Sequence, residues 1–260
     1  MDGLSLPQTH VETAHHQDIA VSVVIAAFNE ADNVAAVADE VLAAFAGERF
    51  ELVFVDDGSA DGTGPRLDAI AAARPQVRAL HHDRRCGKTR ALVTGVSAAR
   101  GALVVTMDAD GQNDPADAHA LVEALRRSPG SVVAGVRARR TDKFSRRVAT
   151  RFANRFRGAV LRDSCPDTGC GLKAFPRDAF LALPAFEGMH RFLPALFQTY
   201  GHSLVCHPVT HRARMHGGSK YTNFGRAAVG VVDLLGVVWL QNRTRRPGRV
   251  TEGPAGTHAP

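Results

Sequence analysis

Short apolar runs rich in Val and Ile recur at 19–28, 50–55, 77–81, 102–107 and 131–136, and segments of helical character separate them. Strands alternating with helices over short loops pack as right-handed βαβ units on a parallel sheet, which constrains the chain to the α/β class. A length of 260 residues suits one large α/β domain or two small ones. No G-x-G-x-x-G follows the first run, and no G-x-x-x-x-G-K-[ST] occurs. Dinucleotide and P-loop sites are therefore unsupported.

The run at 102–107 ends in acid, Asp108-Ala109-Asp110-Gly111-Gln112-Asn113-Asp114-Pro115. In an extended backbone residues two apart face the same way, so Asp108 and Asp110 present both carboxylates to one side. Asp114-Pro115 has the form of a helix start, Asp as cap and Pro as first helical residue. Carboxylates at the carboxyl end of a parallel strand lie where open α/β sheets bind ligands. Hard oxygen ligands there suit Mg²⁺ or Mn²⁺ carrying a diphosphate. A lone Asp-Ala-Asp reads as a solvated turn, but its neighbours change that reading. Residues 50–55 lead into Asp56-Asp57-Gly58-Ser59 at the end of another strand. Lys88 follows Gly87 at a helix start, where a cation and backbone amides together suit an anion. Asn29, after the first run, has the character of an N-cap for a helix reaching Phe45.

Cys86, Cys165, Cys170 and Cys206 form neither a CxxC pair nor a dense framework, which points to a reducing compartment. Residues 1–18 are polar and His-rich and are expected to be a disordered leader, with no signal peptide. No run reaches the ~20 apolar residues of a membrane-spanning helix. The net charge of +6 is concentrated rather than spread. Over 141–162, Lys143, Arg146, Arg147, Arg151, Arg155, Arg157 and Arg162 interleave Phe144, Val148, Phe152 and Phe156. Those four apolar residues recur every fourth position, on one drifting face of a helix. Three readings apply: an interface element drawn to anionic lipid, a solvated helix packed on the sheet, or a nucleic-acid surface. The last has no supporting motif elsewhere, so no nucleic-acid partner is expected. A helix over 226–243 puts Trp239 beside Arg243, Arg245 and Arg246, suiting either a lipid interface or core packing. The tail, 244–260, is expected to be disordered.

Several of these segments together resemble the motifs of family 2 glycosyltransferases. Residues 23–30 are similar to the family's opening strand and Asn-Glu, with Ala26 where proline is usual and Phe28 where tyrosine is common. Val55-Asp56-Asp57-Gly58-Ser59-x-Asp61-Gly62-Thr63 resembles its nucleotide loop, and Gly87-Lys88 with Ala91 and Gly95 its next segment. Met107-Asp108-Ala109-Asp110-Gly111-Gln112 with Pro115 resembles its metal motif. Arg214-x-x-Gly217-x-Ser219-Lys220 resembles a motif of the polyprenyl-phosphate sugar transferases, the dolichol-phosphate mannose synthase branch. The resemblance covers about 19–225 and implies one GT-A domain, a mostly parallel sheet flanked by helices. It also implies inverting transfer from a GDP- or UDP-linked sugar to dolichyl or undecaprenyl phosphate. Some relatives append transmembrane helices after this domain; here peripheral attachment to the cytoplasmic face of an anionic membrane is expected. A glycolipid or polysaccharide acceptor, or a non-catalytic lipid-binding role, are the alternative expectations.

The resemblance assigns Asp108 and Asp110 to the metal, with Gln112 holding a water or phosphate oxygen. Ala27 and Glu30 flank the base, Asp56 and Asp57 contact base or ribose, and Ala109 and Lys88 complete the nucleotide-sugar site, joined by Arg137 just past a strand end as a cation able to screen the phosphates. Asp167 acts as base or orients the acceptor. The acceptor phosphate falls to Arg146 or Arg147 with Thr150, and to Arg214, Ser219 and Lys220. Asp110, Asp167, Arg214 and Lys220 are the expected catalytic residues. One phosphate must approach another, so cations must screen both, and arginine forks suit phosphate oxygens. The pair His190-Arg191 would supply cations if the sugar carried a carboxylate.

Overall fold

The structure, a computed structural model, describes residues 19–137, 158, 160–161, 163–214 and 223–245, the last segment with side chains from Gly230 onward. Its strands are β1 (Val21–Ala27), β2 (Phe50–Asp56), β3 (Val77–His81), β4 (Leu103–Asp108), β5 (Ser131–Arg137), β6 (Lys173–Pro176) and β7 (Ser203–Val209). Its helices are α1 (Val34–Ala44), α2 (Thr63–Ala73), α3 (Lys88–Ala98), α4 (Pro115–Arg126), α5 (Arg177–Leu181), α6 (Leu193–Thr199) and α7 (Asn223–Arg243). A 3-10 turn at Met189–Arg191 precedes α6.

The seven strands form one sheet in the order β3-β2-β1-β4-β6-β5-β7. β1 lies parallel to β2 and β4, β2 to β3, and β5 to β7. Period-2 alternation divides the core. Val21, Val23, Ile25 and Ala27 of β1 face α1, α2 and α4, while Val24 faces the side covered by α3, α5, α6 and Val237 of α7. α3 approaches so closely that a Cβ on Gly95 would sit 2.5 Å from Val24 Cγ1 and 3.0 Å from Val55 Cγ2. The expected mostly parallel α/β sheet flanked by helices is therefore present.

One strand departs from the parallel pattern, and one local expectation is corrected. β6 runs antiparallel to both neighbours, β4 and β5. Asn29 does not cap α1, whose N-cap is Asn33. It sits instead at φ 53°, where its amide N donates to Ser59 Oγ at 2.8 Å and its side-chain oxygen accepts from Ala60 N at 2.9 Å. Asn tolerates that left-handed conformation because its short polar side chain bonds locally. Asp114 behaves as expected, accepting from Ala116 N at 3.0 Å with Pro115 behind it. Residues 1–18, 246–260 and nearly all of the 141–162 helix lie outside the described residues, so those expectations have no structural counterpart here.

The chain builds outward from β1 through β2 to β3, then returns to β4 on the other flank of β1. Strand order reverses there, and the crevice at the carboxyl ends of β1 and β4 is where such sheets bind ligands.

Candidate functional site

The register sets Ala26 of β1 beside Asp108 of β4, and Ala27 beside Asp56 of β2. A cleft of about 230 Å³ opens over these strand ends, lined among others by Ala27, Glu30, Asp57, Lys88, Asp108, Ala109, Asp110 and Arg214. Sequence positions from 27 to 214 thus meet at one point.

Asp108 ends β4, and Asp110 lies just beyond it in the turn, so the pair no longer follows strand alternation. The turn itself aims them. Gln112 N donates to Asp110 Oδ1 at 3.1 Å, and the Asn113 side chain accepts from Asp108 N at 2.9 Å. Lys88, at the first position of α3, pairs with the Asp108 carboxylate. Arg214 reaches back to Asp110 Oδ2 at 2.8 Å and Glu30 Oε1 at 3.3 Å. Burial pushes the Asp110 carboxyl up, and the neighbouring Asp108 charge adds to that. Burial also opposes ionisation of Asp108, but the Lys88 charge and hydrogen bond outweigh it and hold that carboxyl low. Two repelling hard-oxygen carboxylates in one small cleft form a donor set that fits a divalent cation.

Asp57 lines the cleft while holding its wall. Oδ1 accepts from His82 Nδ1 and Cys86 N, both at 2.8 Å, and Oδ2 from Gly87 N at 2.8 Å. Those bonds fix the 82–87 loop that presents Arg85 and Lys88. Arg85 stacks over Phe28, with its guanidinium carbon 4.3 Å from the ring centroid.

Two expected nucleotide-site residues point elsewhere. Asp56 is buried behind the cleft, accepting from Ser59 N at 3.1 Å and lying 3.4 Å from His81 Nδ1. The Gln112 amide faces His211 at 3.5 Å and the Arg212 carbonyl at 3.4 Å, outside the cleft lining. Only its backbone serves the site. Arg137 and Asp167 hold each other through a fork, Nε to Oδ2 at 2.6 Å and Nη2 to Oδ1 at 2.8 Å. This buried pair is not part of the cleft lining. Arg146, Arg147, Thr150, Ser219 and Lys220 lie outside the described residues.

Beyond Lys88 and Asp108 the cleft continues into a second chamber of about 400 Å³, which shares Arg85, Lys88 and Asp108 with the first. Lys173, His190 and Arg191 line it. Arg85 and Lys173 were not singled out from sequence. The available signal for Lys173 was a lone lysine inside the apolar run 172–175. Burial first, and then the Lys88 and Lys173 charges, hold His190 down to about 3 against an ordinary 6.5. Folded His190 stays neutral while the unfolded chain takes up a proton below about pH 6.5. Its contribution to stability should therefore fall as pH drops from 6.5 to 3. Melting temperatures across that range should decline less steeply in His190→Asn, and an unchanged slope would count against this linkage.

A sheet with its strand-order reversal at an acidic, cation-ringed cleft has the architecture of a nucleotide-binding α/β protein. The chain belongs to glycosyl transferase family 2, whose family model matches residues 22–183. It is 34% identical to the dodecaprenyl-phosphate galacturonate synthase of Rhizobium johnstonii, over 89% of this chain and 70% of that protein. It is 36% identical to the undecaprenyl-phosphate 4-deoxy-4-formamido-L-arabinose transferase of Edwardsiella ictaluri, over 77% of this chain and 62% of that protein. The fold matches that of mannosyl-3-phosphoglycerate synthase from Rubrobacter xylanophilus, with a TM-score of 0.65 at 19% identity, covering 89% of this chain and 79% of that one. It also matches glucosyl-3-phosphoglycerate synthase from Mycobacterium tuberculosis, solved with Mn²⁺, UDP and phosphoglyceric acid, with a TM-score of 0.63 at 22% identity. That match covers 88% of this chain and 81% of that one.

Proposed function

We propose that this chain transfers a sugar from a nucleoside-diphosphate sugar to a polyprenyl phosphate, inverting the anomeric carbon, at a membrane surface. The observation carrying it is the convergence of Asp108, Asp110, Lys88 and Arg214 over the ends of β1 and β4. The activities for which the two relatives are named, both sugar transfers onto polyprenyl phosphates, support the acceptor class.

In this reading the bond from the anomeric carbon to the diphosphate oxygen breaks, and an acceptor phosphate oxygen forms the new bond to that carbon. The nucleoside diphosphate leaves with the electron pair. Asp108 and Asp110 would hold a Mg²⁺ or Mn²⁺ ion, which would supply Lewis-acid neutralisation of the leaving group. Lys88, Arg85 and Arg214 line the same cleft and screen the two phosphates from each other. Arg214 neutralises Asp110 and Glu30 together, so it also sets how much negative charge faces the diphosphate. The acceptor is a phosphate monoester with a second pKa of about 6, already ionised at pH 7. It needs no general base. Asp167 accordingly positions Arg137 and the glycine-rich turn that follows it, rather than taking a proton.

The membrane reading draws on α7. Val231, Val232, Leu235 and Trp239 are each more than half exposed and share one stripe, while Val237 is buried on the opposite side. Arg243 and Arg245 at its end are exposed and suit anionic headgroups. No helix among the described residues is long and apolar enough to cross a membrane.

The test is incubation with Mg²⁺ or Mn²⁺, undecaprenyl phosphate in anionic vesicles, and a panel of UDP- and GDP-sugars. A metal-dependent lipid-phosphate sugar is expected by mass spectrometry, from protein that sediments with the vesicles. Nucleotide binding without any lipid product would move the acceptor to a glycolipid or polysaccharide. Vesicle binding with neither nucleotide binding nor turnover would favour the non-catalytic role.

A further inference from the structure

The second chamber holds a cation that the transfer reaction leaves unused. Lys173 is 6% exposed, and its Nζ donates to the carbonyl oxygens of Thr168, at 3.2 Å, and Cys170. Carbonyl dipoles satisfy its donors without supplying a counter-charge. Among the described residues no carboxylate lies within ion-pair distance of it; Asp108 acts on it only from farther off and is paired with Lys88. Burial pushes the Lys173 ammonium below its usual range, so a carboxylate brought into hydrogen-bond reach of Nζ would restore the charge and gain a charge-assisted contact.

The neighbouring walls add donors. His190 Nδ1 lies 2.8 Å from the hydroxyl of buried Thr89, which also accepts from Gly188 N at 3.0 Å. Among the described residues no other acceptor for the Thr89 proton lies within bonding distance, so it points at Nδ1 and the His190 proton sits on Nε2. Neutral His190 then offers one N–H. Arg191 adds a guanidinium, anchored through Nη2 to Asp233 at 3.3 Å. Glu187 is the one acid of the lining besides Asp108, and it is exposed at the rim against Gly87. The surplus is positive and is deepest at Lys173.

We infer that this chamber takes a carboxylate borne by the transferred sugar, so that the donor is a nucleoside-diphosphate uronic acid, with Lys173 as counter-ion and His190 and Arg191 as flanking donors. The inference rests on the transfer reading above, which brings a sugar to the chamber beside Asp108. The acceptor phosphate is the other oxyanion that could be drawn here. Lys173 is buried in the chamber wall, so its partner must be a group small enough to enter, as one on a compact sugar ring is. A lipid headgroup must keep its chain leading outward.

The test is titration calorimetry with Mg²⁺ and no acceptor. UDP-glucuronate and UDP-galacturonate are compared with UDP-glucose and UDP-galactose, with UDP and GDP alone as references. If GDP binds and UDP does not, GDP-mannuronate and GDP-mannose make the comparison. At least one uronate should bind about tenfold or more tighter than its neutral counterpart, as a charge-assisted contact predicts. Lys173→Met should erase that ratio while leaving the affinity for the bare nucleotide unchanged. Arg191→Gln should reduce the ratio part-way, and it decides the matter if the lysine variant fails to fold. Equal or weaker uronate binding would overturn the inference. So would a Lys173→Met protein that keeps the uronate preference but shows a raised KM for undecaprenyl phosphate, which would make the chamber the acceptor's. Absence of binding by both UDP and GDP would overturn the transfer reading itself, and this inference with it.

Discussion

Asp110→Ala is expected to lower sugar transfer by about 10³-fold or more while leaving the fold intact. The activity loss follows from position. Asp110 lies beyond the end of β4, opposite Lys88 and Arg214, where the charge of the leaving diphosphate must be neutralised. Stability should be unchanged or slightly higher, and the sign can be worked out. The Asp110 carboxyl is raised by burial and by Asp108, so the folded state holds its proton more tightly than the unfolded chain does. Such a group opposes folding at every pH above its unfolded value of 3.8, and removing it relieves that opposition. Arg214 keeps Glu30 as a partner after the substitution. Product formation by mass spectrometry, alongside thermal denaturation, checks both halves. Normal turnover would eliminate the metal role of Asp110, and a collapsed melting temperature would show it to be structural.

The second large effect is at Asp167. Asp167→Ala is expected to cost about 3 kcal/mol of stability, because it strands the Arg137 guanidinium in a largely buried site. Arg137→Met combined with Asp167→Ala should recover much of that loss, since no charge is then left unpaired. Transfer should stay low in the double variant if the pair shapes the 167–171 turn that walls the second chamber. Asp167→Asn separates positioning from proton transfer. It keeps the size and one acceptor of the aspartate, so a positioning residue should retain transfer within about tenfold at pH 7. A general base should lose it at every pH. Chemical denaturation of the three variants, with pH–rate profiles, distinguishes these outcomes.

What the sequence determined by itself is what short-range physics controls. The apolar run closing at Asp108, the cap at Asp114-Pro115, the helix opening at Lys88 and the strand over 131–136 all depend on period and capping within a dozen residues. They appear in the structure close to their expected bounds. The acidic strand end was legible for the same reason. Tertiary structure decided the rest. β6 is only four residues long and pairs antiparallel with strands that must already be in place, so no local pattern fixes its direction. Asp56 and Asp57 are adjacent, yet only Asp57 lines the cleft, because the chain leaves β2 between them. Arg214 meets Asp110 across 104 positions, and Thr89 meets His190 across 101. Lys173 reads as one polar residue in an apolar run until the sheet closes around it and leaves its charge, among the described residues, with carbonyl oxygens and no paired carboxylate. Strand order and register create such meetings, and both are properties of the assembled sheet rather than of any segment within it.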